Sequence, residues 1–243
     1  MEVIQNLFDP YELKARISPA ILTLLPLCLS TILWYPNLLD ALNTTFTLAG
    51  IIIILFVFSK VSRNMGFKKQ KRLLKEWGGF PTTIMLRHTD PTLDPLTKER
   101  YHNFLKEKVP NIKMPTQEEE LEDQEYYDIN YNSAVAWLRE NTRDKTIYPI
   151  LHVDNANYGF ARNTYGIKVI GIFVCILSIG LNVFGIYQKY GISVLSVPFK
   201  FWVSVSLSIV LLVIWLFLIN KKWVRNYADA YARTLLATCE SRN

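Results

Sequence analysis

Four stretches without a single charged side chain constrain this chain more than any other feature: Ala20–Pro36, Ala41–Ser59, Val169–Gln188 and Phe201–Asn220. A helix rising about 1.5 Å per residue needs about 20 residues to cross roughly 30 Å of hydrocarbon, and each stretch approaches that length. Buried helices of a soluble domain keep a polar face, whereas Ile51–Phe58 is apolar all round. The chain therefore reads as an α-helical membrane protein with four transmembrane helices. Their order makes two hairpins, with a largely polar block inserted between them. The block is mainly helical, with a short strand at Thr82–Leu86 where β-branched and apolar residues run together. The division that follows is 1–60 for the N-terminal segment and first hairpin, 61–167 for the cytosolic domain, 168–220 for the second hairpin and 221–243 for a C-terminal helix. The first run is a span and not a cleaved leader, because Glu2, Asp9 and Glu12 precede it and no small-residue cleavage site follows it.

Basic residues fix the expected orientation. Lys60, Arg63, Lys68, Lys69, Lys71, Arg72 and Lys75 follow the second run, and Lys221, Lys222 and Arg225 follow the fourth. The turn at Asn37–Asn43 has no Lys or Arg, and the turn near Gly191 has only Lys189 and Lys200 beside it. Both termini and the polar block are thus expected on the cytoplasmic side. The net charge of +6 is largely juxtamembrane, and attraction to anionic lipid accounts for it without a nucleic-acid partner. Cys28 and Cys175 fall inside apolar runs and Cys239 in the tail, which offers neither a disulfide framework nor a metal motif.

Within the block, Gly78-Gly79 caps the helix that continues the second span. Asp94-Pro95 starts a helix to about Lys108. Thr116 with Glu119 forms a capping box for a helix that opens on an acidic run and closes near Arg139 and Arg143. Trp223, Tyr227, Ala230, Tyr231 and Leu235 recur at helical spacing, so the tail helix packs on the block.

Candidate functional residues fall into three groups. Gly171, Cys175, Ser178, Asn182 and Gly185 share one face of the third span, which suits close helix packing or, in an assembly of copies, the lining of a pore. No ionisable residue lies deep in any run, which disfavours ion-coupled transport. In the block, Arg87, Arg100, Arg139, Arg143 and Arg162 are interspersed with Tyr158 and Phe160, side chains that pair phosphates and stack on bases. His88, with Asp90 to orient it and His102 as a second imidazole, is the alternative, a hydrolytic site. The histidine spacing matches no metal signature, and the phosphate-binding glycine loops are missing, so no metal and no cofactor is assigned.

The layout of two apolar hairpins around a polar block resembles the four-helix membrane effectors of bacterial anti-phage systems, including that of the Hailong system. The blocks Leu86-Arg87-His88-Thr89-Asp90 and Tyr158-Gly159-Phe160-Ala161-Arg162-Asn163 have the look of that family. The resemblance implies a homo-oligomeric pore in the bacterial inner membrane. A nucleotide or oligonucleotide from a partner nucleotidyltransferase would gate it through the cytosolic domain. The alternatives are a membrane-anchored hydrolase using His88, Asp90 and His102, and a scaffold that holds a cytosolic partner at the bilayer.

Overall fold

The structure is a computed structural model and describes residues 10–37 and 45–241. Glu2, Asp9 and most of the turn at 37–43 lie outside the described residues. Every element among those described is helical. Four helices are long and apolar enough to cross a membrane. Three of them are α1 (Pro10–Trp34), α8 (Lys168–Tyr190) and α9 (Phe199–Leu218), and the fourth is the apolar half of α2 (Thr45–Trp77).

Helix α2, 33 residues long, extends about 50 Å at 1.5 Å per residue, more than a bilayer core needs. Gly78 and Gly79 end it at φ 80° and 138°. The Gly79 N–H reaches the Leu74 carbonyl at 2.9 Å and that of Gly78 reaches Lys75 at 3.4 Å. This paired closure requires the left-handed backbone that glycine supplies.

The stretch expected as a strand is instead the short helix α3 (Pro81–Leu86), with all its residues buried. Pro81 at its first position presets a helical φ, and no second strand exists among the described residues to pair with it. The helix α4 (Pro95–Lys108) begins where Asp94 accepts from the Thr97 N–H at 2.9 Å. Thr116 and Glu119 form the reciprocal box that opens α5 (Gln117–Glu122). One long helix was expected from there, but Asp123 leaves helical backbone and caps a new one, accepting from the Tyr126 N–H at 3.0 Å. A short carboxylate that can bond its own backbone competes with helix continuation. The chain then forms α6 (Gln124–Asn141), α7 (Pro149–Gly166) and, after α9, α10 (Lys221–Ala237).

The chain divides into two compact units, Met1–Gln70 with Gly159–Val224, and Lys71–Tyr158 with Arg225–Asn243. The first holds three candidate spans whole and the fourth as far as Gln70; the second is the polar unit. Each passage of the chain between units falls inside a helix, α2, α7 or α10.

In the span-bearing unit α1, α8 and α9 pack on one another. Trp215, fully buried, lies with Cys175, Leu211 and Ile219 at one level, and Phe201 with Val205 and Ile186 at another. The apolar residues in the first half of α2 are exposed, Ile53 by 62 % and Phe56 by 56 %, whereas Met65 further along packs against the Trp215 core. Further along, α2 meets α7 where Gly66 and Gly166 touch backbone to backbone. In the polar unit Leu105, Tyr131, Leu138, Leu235 and Leu236 form one core, so the tail helix does pack on the block.

Candidate functional site: two clefts of the polar unit

Residues 86–90 form the hub of the polar unit. The Arg87 guanidinium forks onto Asp128 at 2.9 and 2.6 Å and also donates to the Gly78 carbonyl. The attraction of Asp128 raises its pKa further above an already high value. Lys98, 5 % exposed, donates its ammonium protons to the carbonyls of Arg87 and Asp90 and so holds the loop closed. Burial lowers the Lys98 pKa, opposed by Asp90 and Glu120. Glu120, 1 % exposed, accepts from the His88 N–H at 3.0 Å and from the Tyr131 hydroxyl at 2.6 Å.

A cleft of about 640 Å³ opens beside this hub, lined among others by His88, Asp90, Lys98, His102, Lys106 and Thr116. The His88 and His102 rings meet edge to face with centroids 4.8 Å apart. His102 Nε2 lies 2.8 Å from the Leu86 carbonyl and His88 Nε2 lies 3.0 Å from that of Pro115. A carbonyl only accepts, so each ring donates to it from a protonated Nε2. Burial pushes the His102 pKa down to about 4, so the ring is neutral at physiological pH. Asp90 does not orient His88; its carboxylate accepts from the Thr92 N–H in its own turn. The two imidazoles thus come together as the sequence implied, while the carboxylate does not join them. Among the described residues no cluster of three or more His, Cys, Asp or Glu could hold a metal ion.

A second cleft, of about 380 Å³, lies between the end of α6 and one face of α7. Arg139, Arg143, Leu151, His152, Asn155 and Tyr231 line it. The Tyr231 ring stacks on Tyr158 at 6.1 Å and 15°. Of the seven residues proposed for a ligand, Arg139 and Arg143 meet here and Tyr158 backs the wall.

The other four are placed elsewhere, each with a structural role. Arg87 is the buried hub, and Arg100 pairs on the surface with Glu240 at 2.7 Å. Phe160 packs on Trp223, and Arg162 lies over the Phe67 ring at 3.9 Å and donates to Gln70, both inside the span-bearing unit. The remainder of the 158–163 block also serves packing. Asn163, fully buried, donates to the Ala15 carbonyl at 2.7 Å, and Gly159 admits Tyr11 and Ala15.

Within the single chain, the small and polar face of α8 packs against its neighbouring helices. Ser178 and Asn182 are fully buried between α1, α8 and α9. Ser178 Oγ lies 2.7 Å from Ser30 Oγ and 3.1 Å from Ser208 Oγ. Asn182 donates to Ser30 Oγ at 2.6 Å and accepts from the Trp34 indole N–H at 3.0 Å. Cys175 is fully buried, Gly171 faces the Trp215 ring and Gly185 the Trp34 ring, with no space for a Cβ. In an apolar surround, polar groups that satisfy one another hold helices together.

Sequence reasoning missed Lys98, Glu120, His152, Asn155 and Tyr231. The spacing of His152 and Asn155, three apart on one helix, was the one signal available for a shared face. No known family, curated protein or solved structure matches this chain.

Proposed function

We propose that this protein is a multi-pass effector of the bacterial inner membrane, of the anti-phage kind that its layout resembles. The polar unit, on the cytosolic side with both termini, receives a ligand, and assembled copies then permeabilise the bilayer. The observation that carries this reading is that each passage between units lies inside a helix, so no flexible linker absorbs a movement of the polar unit. A ligand that favours one arrangement of that unit shifts the population of the spans with it. Because the polar side chains of α8 are used within the chain, the permeation path lies between copies. The ligand would come from a partner nucleotidyltransferase.

The test is release of a trapped dye from liposomes containing the purified chain, with nucleotides and short oligonucleotides added in turn. Ligand-dependent release is expected. A tight bilayer under every condition, with the protein shown to be inserted, would overturn the reading. The paired imidazoles of the larger cleft favour a second reading, an anchored hydrolase with His88 Nδ1 as the base; hydrolysis of a phosphoester that is lost in His88→Ala would establish it.

A further inference from the structure

We propose that the smaller cleft, framed by Arg139, Arg143, His152, Asn155 and Tyr231, binds a small phosphate monoester that carries one ring system. The proposal rests on the reading of the polar unit as the ligand-receiving part, and it names the site and the class of ligand. Arg139 lies in the last turn of α6 and Arg143 just beyond its end, and both line the same cleft. Neither guanidinium is used by the fold as Arg87 is. Among the described residues, Arg139 has no ion pair or side-chain hydrogen bond, and Arg143 holds only Glu140. That pair is 74 % and 63 % exposed, and an ion pair so open to water yields readily to a stronger anion.

The guanidinium fork matches a phosphate's oxygens two at a time, which a lysine cannot do. Glu140, which also lines the cleft, offsets the charge of Arg143 but leaves that of Arg139, and the Asp144 carboxylate accepts from the Thr146 N–H and hydroxyl at 2.8 and 2.6 Å. His152 and Asn155 come from the facing helix, and the Asn155 amide offers both a donor and an acceptor to the body of a ligand. Tyr231, braced by Tyr158, supplies a flat wall, and Leu151, 5 % exposed, an apolar one. The volume of 380 Å³ is near the lower end of the roughly 300–1,000 Å³ of small-molecule sites, which suits one phosphate and one ring system but not an oligonucleotide.

The experiment is calorimetric titration of the full chain in phosphatidylcholine nanodiscs with AMP, adenosine and inorganic phosphate. AMP is expected to bind saturably, phosphate more weakly, and adenosine not at all. Arg139→Ala with Arg143→Ala should weaken AMP at least tenfold while the unfolding midpoint is unchanged, and Arg100→Ala, outside the cleft, should leave the affinity as it was. If phosphatidic acid in the discs competes with AMP through the same arginines, the monoester is a lipid headgroup; without competition it is a soluble compound. Equal binding of AMP and adenosine, no AMP binding at millimolar concentration, or affinity indifferent to the double substitution would overturn the site. AMP binding without any dye release would keep the site and overturn the effector; ligand-evoked release without AMP binding would do the reverse.

Discussion

Replacing Gly166 by alanine tests the helix crossing at which α7 meets α2. The added Cβ would lie 2.4 Å from the Gly66 nitrogen, 2.7 Å from its Cα and 2.8 Å from the Met65 carbonyl carbon. Ordinary contact begins near 3.4 Å, so the approach is too close by about 1 Å. All three atoms are backbone, and no rotamer change relieves the clash; the two helices must separate. Forcing such an extra group into a packed contact costs about 1–3 kcal/mol, here at the upper end, partly offset by a gain of up to about 1 kcal/mol from replacing a helical glycine. A net loss of about 2 kcal/mol lowers the unfolding midpoint by roughly 4–8 °C in a chain of this size. Gly180→Ala is the internal control, since nothing lies within 4 Å of its Cβ position and only the propensity gain remains. Tryptophan fluorescence during a thermal ramp in detergent reads both variants. A Gly166→Ala midpoint equal to or above that of Gly180→Ala would refute the close crossing.

Asn182→Leu leaves the Trp34 indole without its acceptor and removes a donor from Ser30. Hydrogen bonds between spans are worth about 1–2 kcal/mol, so the midpoint should fall by several degrees; an unchanged or higher midpoint would show that this network does not hold α1 to α8. The depressed His102 pKa, about 4 in the fold, makes stability pH-dependent. The unfolded chain takes up the proton near pH 6.5 and the folded one does not, so the His102 contribution is complete above about 6.5. It declines by up to about 3 kcal/mol as pH falls to 4. His102→Gln should flatten that part of the stability profile, and a slope as steep as that of the parent would exclude His102 as its source.

The caps at Asp94, Thr116 and Gly78-Gly79 were legible because each is a local bond between neighbours in sequence. The reading missed residues 82–86 and Asp123, where Pro81 at a helix start without a partner strand in one case and a side chain bonding its own backbone in the other decided the outcome. The functional candidates divide in the same way. Arginine looks alike in sequence whether it is a buried structural ion, as Arg87 is, or an open one, as Arg139 is, because the distinction depends on whether a carboxylate from another helix arrives beside it. By itself the sequence determined the four apolar helices and most helix ends, since hydrophobic length and capping need only nearby residues. The tertiary structure alone decided that Ser178 and Asn182 are sealed between helices, that the imidazoles of His88 and His102 meet while Asp90 turns away, and that Arg139, Arg143 and His152 share one cleft. Each of these depends on contacts between residues distant in the chain, and no local pattern encodes which of them the packing will bring together.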